Sequence, residues 1–375
     1  MKSIYLDNAA STPMLLEVKE ELIKNSEHLI GNASSIHSVG VKASREVEKA
    51  RESIANSLST SADNIVFTSG GTESNNWVVQ SLFHQKKNNQ NTIITSAIEH
   101  PSVLAPIMWL QKQYGINVVN IGVDTEGRIL IEDLKKALSD EVIFCSIMHV
   151  NNEVGSIQPM KEIAELCEKF NVPLHVDACQ SFLKVPINLS QLKISYLTIN
   201  SHKVHGPKGV GALYLREGYS LLPLFHGGGH ESNRRSGTLN APAISAFGKS
   251  VELQSKNTDF FKQMSDLNLW TQKKLIEIFP SITINSPTNN LAPHILNVRF
   301  KDLLGKDLFW SLNKAGVYVS TSSACSSNKM TPSHVLSAMG LDEKHNLESI
   351  RISFGLQTTK EEIEYFIDVL REIIK

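Results

Sequence analysis

The chain has 375 residues, of which 41% are hydrophobic, and its formal net charge is -1 at pH 7. This length fits one large domain or two domains that share a core, and the near-neutral charge gives no global electrostatic reason to bind nucleic acid or a membrane surface. No apolar run approaches the ~20 residues of a membrane-spanning helix. The four cysteines are scattered without a CxxC pair, and the first residues lack the apolar core of a signal peptide. We therefore expect neither a disulfide framework nor a zinc knuckle, and we predict a cytoplasmic protein.

The first two thirds of the chain alternate short β-rich runs with helical patterns. Seven runs predict strands, at residues 65–68, 92–95, 118–121, 142–148, 172–176, 196–199 and 211–215. Between some of them, apolar residues recur at helical spacing, as in the predicted helix that carries Val47, Ala50, Ile54 and Leu58. Continuous apolar strands separated by helices are typical of a mostly parallel sheet that is covered on both faces.

The pattern changes near residues 250–259. A long helical segment follows, and the predicted strands become fewer, at 282–284, 295–300, 317–320 and 350–353. Thr359 and Glu362 form a capping-box pattern at the start of the last helix. The apolar stripe of that helix consists of Ile363, Phe366, Ile367, Leu370 and Ile374. We predict a large α/β domain at 12–255 and a smaller α+β domain made of 1–11 and 256–375.

An amine and a carboxylate lie at the ends of two predicted strands. Lys203 follows the apolar run 194–199 with His202 beside it, and Asp177 ends another β-rich run. Lone lysines are usually solvated and lone aspartates usually cap turns. Together, however, the two residues supply what pyridoxal phosphate (PLP) chemistry needs, which is an amine for a Schiff base and a carboxylate that keeps the pyridine nitrogen protonated. Gln180 lies shortly after Asp177, within local reach of the same site.

A glycine-containing turn precedes a predicted helix at residues 68–74. Its glycines let backbone N–H groups approach an anion, and a helix N-terminus favours negative charge. Gly71 and Thr72 are therefore candidate phosphate ligands, Thr72 through its hydroxyl. An ordinary strand-to-helix turn with Thr72 as the N-cap explains the same pattern equally well.

Histidines offer one candidate for catalysis and none for a metal. His100 lies just past the strand at 92–95, where it could stack on an aromatic cofactor and move a proton. A structural histidine is the alternative. His226 and His230 flank three glycines, but no third ligand lies at a recognisable spacing, so we predict no metal site.

Among the cysteines, Cys325 is the candidate nucleophile. It lies in the small, hydroxyl-rich segment 320–327, which is typical of an exposed loop where a thiol is accessible. Cys145 and Cys167 lie within apolar patterns and are predicted to be buried packing residues. Cys179 is close to Asp177 in the sequence and could lie near a cofactor, but we interpret it as structural.

Arg351 lies in the otherwise apolar strand 350–353. A charged side chain in such a strand needs a partner, and a carboxylate that accepts two parallel hydrogen bonds is the natural one. The sequence leaves two partners equally open, the carboxylate of a substrate or an acid within the protein.

Taken together, these segments resemble the cysteine desulfurases of the class V aminotransferase family. The matching segments, in chain order, are 5–10, 31–37, 68–76, 99–100, 148–159, 175–180, 201–209, 227–240, 323–336 and 351–359. Each segment alone is weak evidence, but the ordered set spans nearly the whole chain. The resemblance implies a fold-type I PLP-dependent transferase, with a large domain around a mostly parallel seven-stranded sheet plus a smaller α+β domain. It also implies a homodimer with PLP as its cofactor.

The resemblance implies a catalytic role for four residues. Lys203 would form the Schiff base with PLP, and Asp177 would pair with the pyridinium nitrogen. His100 would stack on the ring and act in acid–base steps. Cys325 would attack the sulfur of cofactor-bound L-cysteine, giving L-alanine and an enzyme persulfide. The length of 320–332 resembles the long-loop branch of the family.

The remaining implied contacts hold the cofactor and the substrate. The implied phosphate ligands are Gly71, Thr72, His202 and, from a neighbouring subunit, Thr238. Gln180 and Asn152 would hydrogen-bond either the cofactor's phenolic oxygen or the substrate side of the site. The implied substrate-binding residues are Arg351, Asn8 and Asn152. This chain differs from the family pattern at Asn200, where a small hydroxyl residue is usual, and at Cys179, which replaces an alanine.

The function implied by the resemblance is cysteine desulfuration. The sulfur would pass to acceptor proteins for Fe–S cluster assembly or for thiolation of tRNA or other nucleic acid. A selenocysteine lyase, or another PLP-dependent lyase or aminotransferase on the same fold, is the alternative enzyme. A catalytically silent scaffold that docks partners is the alternative outside enzymology. Cys325 favours desulfuration, because transamination gives that thiol no task.

Overall fold

The computed structural model describes residues 3–257, 259–321 and 331–374. The strands in these ranges are β1 (Ile4–Tyr5), β2 (Ile65–Thr68), β3 (Thr92–Ser96), β4 (Asn117–Ile121), β5 (Val142–Ser146), β6 (Leu174–Asp177), β7 (Tyr196–Asn200), β8 (Gly211–Leu215), β9 (Ile282–Ile284), β10 (Ile295–Phe300), β11 (Val317–Tyr318), β12 (Ser320–Thr321) and β13 (Ser349–Ser353).

The helices in the same ranges are α1 (Leu16–His28), α2 (Ser38–Ser57), α3 (Gly71–His84), α4 (Pro101–Tyr114), α5 (Ile131–Ala137), α6 (Met160–Lys169), α7 (His230–Asn233), α8 (Ala241–Ser255), α9 (Phe260–Ile278), α10 (Gly305–Lys314), α11 (His334–Ala338), α12 (Glu343–Leu347) and α13 (Lys360–Ile373). Of these, α7 is a single turn in which Glu231 and Ser232 have left-handed backbone angles. The capping box predicted at Thr359 and Glu362 is confirmed at the start of α13.

Seven strands form a sheet in the order β2-β8-β7-β6-β5-β3-β4. Strand β8 runs antiparallel to both of its neighbours, and the other neighbouring pairs are parallel. Successive side chains of the strands alternate between two apolar layers, one on each face of the sheet. On β2, Ile65 and Phe67 pack in the layer that contains α2 and α8, whereas Val66 packs in the layer that contains α3 and α4. The predicted sheet, mostly parallel and covered on both faces, is confirmed.

The edge strand β2 is bordered by a buried ion pair. The Arg51 guanidinium lies 2.7 Å from the Glu231 carboxylate, and the two side chains are 10% and 1% exposed. Arg51 also donates to the backbone carbonyl of Ile65, and Glu231 accepts the backbone N–H of Phe67. The turn α7 is thereby attached to β2.

The later part of the chain packs around an antiparallel sheet in the order β12-β13-β10-β9. A separate apolar core forms beneath it from residues of α9, α10 and α13, and Ile4 and Leu6 belong to this core. These contacts support the division into 12–255 on one side and 1–11 with 256–375 on the other, which we retain as a proposal. The predicted strand 317–320 is instead two short strands, because β11 pairs with β1 whereas β12 pairs with β13.

The parallel strands place their carboxyl ends at one edge of the seven-stranded sheet. Strand β6 ends at Asp177, and β7 ends at Asn200. The turns that follow β2 and β3 lead to Gly71 and His100. Ligands of open α/β sheets bind at this edge, so residues far apart in the sequence are brought to one site.

Candidate active site

A cavity of about 400 Å³ opens at the carboxyl edge of the sheet. Its walls come from Ala9, Ala10, Gly71, Thr72, Asn75, His100, Ser102, Met148, Val150, Asn152, Asp177, Cys179, Gln180, Asn200, His202, Lys203 and Arg351. Nine of the predicted site residues lie in this wall, namely Gly71, Thr72, His100, Asn152, Asp177, Gln180, His202, Lys203 and Arg351. The volume lies within the usual range for small-molecule and cofactor sites.

Asp177 is a buried carboxylate that remains ionised. Burial alone would raise its pKa, but the opposing interactions are stronger and the pKa lies below its ordinary value. One oxygen accepts the backbone N–H of Cys179 at 2.9 Å, and the other accepts the amide of Asn75 at 2.8 Å. The nearby Lys203 amine adds a favourable charge. The cavity therefore offers a fixed negative charge at the end of β6.

Lys203 and His202 follow β7 and both line the cavity. The His202 ring nitrogen Nδ1 lies 3.3 Å from the Ser11 hydroxyl. Burial, and then the charge of Lys203, lower the pKa of His202 to about 4. His202 is therefore a neutral imidazole near pH 7, which can donate one hydrogen bond to a ligand.

The first turn of α3 forms an open cradle for an anion. The helix begins at Gly71, and the residue before it, Gly70, has no capping side chain. The alternative in which Thr72 caps the helix is therefore wrong. A β-carbon at Gly71 would lie 2.7 Å from the Cys179 sulfur and 3.5 Å from the Asn200 amide nitrogen, so only glycine leaves this space clear.

Asn200 rather than Ser201 faces this cradle. Asn200 lines the cavity, and its Oδ1 is buried with no hydrogen-bond partner within the described part of the chain. Ser201 instead points at Gly206, where a β-carbon would lie 2.0 Å from the serine hydroxyl. The substitution of an amide for the usual hydroxyl at position 200 thus keeps a polar group beside Gly71.

His100 is both the N-cap of α4 and part of the cavity wall. Its Nδ1 accepts the backbone N–H of Ser102 at 3.1 Å and lies 2.7 Å from the Ser102 hydroxyl. Burial, and then the charge of Lys203, lower the pKa of His100 below its ordinary value. The structural and the catalytic interpretations of His100 are therefore compatible, because capping uses Nδ1 and leaves Nε2 for a ligand.

Arg351 has an internal partner and still reaches the cavity. Its guanidinium donates to Asp7 at 2.7 Å and to the backbone carbonyl of Asn152 at 2.8 Å. The Arg351 Nε is buried without a partner among the described residues. Of the two partners that the sequence left open, the structure shows the internal acid, Asp7. A substrate carboxylate as a partner of Arg351 stays a prediction.

Three predicted site residues lie elsewhere. Asn8 is buried, and its amide donates to the backbone carbonyls of Tyr5 and Ser353 rather than into the cavity. Thr238 is exposed and does not belong to the cavity wall of its own chain. Cys325 lies outside the described residues. The roles of these three residues remain predictions.

Sequence reasoning missed Asn75 and Ser102. Asn75 donates to both Asp177 and the Ser102 hydroxyl, and so links the carboxylate to the residue that holds His100. Cys179, interpreted from the sequence as structural, lines the cavity. The only sequence signal for Asn75 was its place one turn into the helix after Gly71. Cys145 and Cys167 are buried as predicted.

The family model for class V aminotransferases matches residues 4–366. The chain belongs to the class V aminotransferase family. A cysteine desulfurase IscS from Dictyoglomus turgidum is 40% identical over 375 residues, which cover 100% of this chain and 95% of that protein.

Solved structures agree with this membership. A NifS-like protein has a TM-score of 0.92 at 35% identity, with 100% of this chain and 99% of that chain covered. SspA, solved in complex with cysteine, has a TM-score of 0.82 at 33% identity, with 94% of this chain and 99% of that chain covered. The predicted fold-type I architecture is confirmed by these likenesses.

Class V aminotransferases and cysteine desulfurases are PLP-dependent, and the cavity residues fit this cofactor. Asp177 is an ionised carboxylate, Lys203 is an amine in the same cavity, and the start of α3 is open at Gly71. The Asn200 Oδ1, which has no hydrogen-bond partner among the described residues, belongs to a residue beside that opening. A pyridine nitrogen, an aldehyde and a phosphate thus each find a matching group.

No helix in the described ranges has the length and apolar character needed to cross a bilayer. Within the same part of the chain, no group of three or more His, Cys, Asp or Glu residues is arranged to hold a metal ion.

Proposed function

We propose that this protein is a PLP-dependent cysteine desulfurase, which converts L-cysteine to L-alanine and takes the sulfur onto its own Cys325. The observation that carries the proposal is that Lys203, Asp177, His100 and Arg351 line one cavity. An amine for the cofactor, a carboxylate for its ring nitrogen and a cation for the substrate carboxylate then share one small volume. The 40% identity to a protein named cysteine desulfurase supports the same activity.

The residues of the cavity would hold the cofactor and move protons. Bound PLP would supply an electron sink for the α-carbon of an amino acid. Asp177, kept ionised by its hydrogen bonds, would accept a hydrogen bond from the ring nitrogen. The Lys203 amine would attach the cofactor and, once the substrate has displaced it, accept the α-proton. His100 would lie against the ring and relay protons through the nitrogen that does not cap α4.

Other cavity residues would orient the two ligands. Gly71 and Thr72 would bind the phosphate at the start of α3, with His202 beside them. The contacts proposed for the cofactor's phenolic oxygen and for the substrate are Gln180 and Asn152. The guanidinium of Arg351, a residue of the cavity wall, would bind the substrate carboxylate, as would the amide of Asn8 if it turned away from Ser353.

The sulfur step is a displacement at the substrate's sulfur atom. The Cys325 thiolate would attack that sulfur, forming an S–S bond while the Cβ–S bond breaks. The electron pair of the broken bond goes to Cβ, which takes a proton and becomes the methyl group of alanine. The products are L-alanine and a Cys325 persulfide, and no oxidant is required. Low pKa and exposure are the properties that make a thiol suitable for this role.

We also propose partners for the reaction. Thr238 is exposed on its own chain, which fits a contact with the phosphate in a second copy, and hence a homodimer. The persulfide would be passed to an acceptor protein, for Fe–S cluster assembly or for thiolation of tRNA or other nucleic acid. The enzyme itself would touch neither nucleic acid nor membrane, and the scattered cysteines favour a cytoplasmic location.

The test measures L-alanine and persulfide formation from L-cysteine in the PLP-loaded enzyme, its Cys325→Ala variant and a Cys167→Ala control. Cys167 is buried in α6, away from the cavity, so its variant should keep the parent rate. We expect Cys325→Ala to bind PLP as the parent does but to form neither product. A parent that binds PLP and releases no sulfur, even with a reductant, would contradict the proposal and favour a scaffold role. Faster turnover of L-selenocysteine than of L-cysteine would favour the lyase alternative.

A further inference from the structure

His294 is a buried histidine that contacts the cavity residue Gln180. It is 0% exposed, and its Nε2 lies 3.3 Å from the Gln180 Oε1. His294 directly precedes β10, whereas Gln180 follows β6, so the contact joins two segments that are 114 residues apart in the chain. Gln180 is itself buried and lines the cavity. A residue outside the cavity wall thus contacts one of the candidate ligands of the cofactor.

The backbone around His294 is fixed by hydrogen bonds. Its carbonyl accepts the N–H of Phe354 at 2.9 Å. The carbonyls of the residues before and after it, Pro293 and Ile295, each accept the amide of Asn268 at 3.0 Å. The imidazole is therefore held at a defined position relative to Gln180.

A second contact of Gln180 determines how its amide is oriented. The amide also lies 2.8 Å from the backbone carbonyl of Ala9. A carbonyl oxygen only accepts hydrogen bonds, so the group that faces Ala9 must be the amide nitrogen, and the group that faces His294 must be the amide oxygen. Ala9 is fixed in turn, because its N–H donates to the Ser353 hydroxyl at 2.9 Å. One orientation of the amide satisfies both contacts.

The same reasoning fixes the tautomer of His294. Because the Gln180 Oε1 only accepts, the His294 Nε2 must carry a hydrogen. The His294 Nδ1, which is buried without a partner among the described residues, is then the nitrogen that carries none. Burial, and then the charges of Lys184 and Lys203, lower the pKa of His294 well below its ordinary value, so the ring is neutral near pH 7. His294 is therefore a neutral donor to Gln180.

These two contacts leave one donor of Gln180 for a ligand. An amide nitrogen has two hydrogens, and the Ala9 carbonyl accepts one of them. The structure shows no partner for the second N–H within the described ranges, and it belongs to a side chain of the cavity wall. Gln180 also follows Asp177 directly after β6, so a ring whose nitrogen pairs with Asp177 lies within reach of its amide.

We propose that His294 is a positioning residue for Gln180, in that it holds the amide oxygen and so directs the second N–H of the amide to the phenolic oxygen of the cofactor rather than to the substrate. The inference rests on the proposed function, because it takes PLP as the ligand of the cavity. An ionised phenolic oxygen only accepts hydrogen bonds, so an N–H is the group that suits it. Without His294, the buried amide oxygen would lack a partner, which favours rotation of the amide away from this orientation.

The first test determines the tautomer of His294 by NMR, in the full chain with and without PLP. Long-range proton–nitrogen correlations of protein that is isotope-labelled at histidine distinguish the two neutral tautomers of an imidazole. The His294 signals are identified by their loss in His294→Gln. We expect the Nε2–H tautomer, and a change in its N–H signal in Gln180→Leu. The Nδ1–H tautomer, a doubly protonated ring at pH 7, or signals that Gln180→Leu leaves unchanged would overturn the proposal.

The second test measures the pKa of the lysine-bound cofactor from its visible absorption. A donor to the phenolic oxygen stabilises the negative charge there, most strongly when the lysine-bound nitrogen has lost its proton, so loss of the donor should raise this pKa. We expect a rise of about one unit, or tenfold in proton affinity, in Gln180→Leu and of about half a unit in His294→Leu. His294→Gln, whose amide can still donate to Gln180, should keep the parent value.

A double variant shows whether His294 acts through Gln180. If it does, His294→Leu should add no further shift in a chain that already carries Gln180→Leu. Additive shifts, or a His294→Gln variant that behaves like His294→Leu, would overturn the proposal. An unchanged pKa in Gln180→Leu would also overturn it, while the proposed desulfurase would stand without this contact. A protein that attaches no PLP at Lys203 would refute the proposed function and this inference together.

Discussion

The substitution Lys184→Met should stabilise the cofactor-free protein. Burial, and then the charge of Lys203, lower the pKa of Lys184 from 10.5 to about 7. One pKa unit corresponds to about 1.4 kcal/mol, so the protonated amine destabilises the fold by about 5 kcal/mol relative to an ordinary lysine. Methionine has a similar length and no charge. We expect the variant to exceed the parent in free energy of unfolding at pH 7 by several kcal/mol.

The effect has a defined pH window. Between about pH 7 and pH 10.5, the unfolded chain keeps a proton on Lys184 that the folded chain has released. Stability of the parent therefore rises with pH across this window, by about 1.4 kcal/mol per unit from this group. Below pH 7 the whole penalty is present. The variant lacks this dependence, so the difference between the two proteins should shrink as the pH increases.

Urea unfolding of the cofactor-free proteins across this window measures the difference directly. Lys208→Met serves as the matched control, because Lys208 is exposed, and it should change the free energy of unfolding by less than ~0.5 kcal/mol. A destabilised Lys184→Met at pH 7, or a difference that is independent of pH, would refute the reasoning. Either result would mean that a compensating partner stabilises the buried amine.

Three further predictions concern other contacts. Gly71→Ala should weaken PLP binding to the cofactor-free protein about tenfold, because the new β-carbon would lie 2.7 Å from the Cys179 sulfur. Adding Cys179→Ala should restore binding. Equal affinity of Gly71→Ala and the parent for PLP would contradict this prediction. Glu231→Gln should lower the free energy of unfolding by about 2 kcal/mol, because Arg51 loses its buried carboxylate partner and keeps only the more exposed Glu48. In urea unfolding, the half-exposed control Glu252→Gln should lose less than ~1 kcal/mol, and similar losses in both would contradict this. Burial raises the pKa of Glu99 to about 8. As the pH rises from 4.5 to 8, the parent should therefore lose stability relative to Glu99→Gln, by about 5 kcal/mol in all. Free energies of unfolding that change with pH in the same way in both proteins would contradict this.

The central sheet and the main site residues could be predicted because they depend on local patterns. Strands β2 and β8 appear in the sequence as bounded apolar runs, and their observed limits match the predicted ones. Asp177 and Lys203 could be identified because each follows such a run, and the carboxyl ends of parallel strands meet at one edge. Family resemblance added the roles, but the placement follows from strand order.

What the sequence could not reveal depends on contacts between distant segments. Nothing near Asn75 indicates that its amide reaches Asp177, 102 residues away. The division of 317–320 into two strands depends on their pairing partners, because β11 pairs with β1 and β12 pairs with β13. The burial of Lys184 was equally invisible, because a lysine in a polar turn normally remains in water.

The ion pair beside β2 has a consequence for the behaviour of the protein in concentrated solution. An edge strand exposes a row of backbone donors and acceptors that can recruit a strand from another molecule. Here the outer N–H of Phe67 is held by Glu231 and the outer carbonyl of Ile65 by Arg51. Two side chains thereby occupy hydrogen-bonding positions that an intruding strand would need, which disfavours the addition of a strand at this edge.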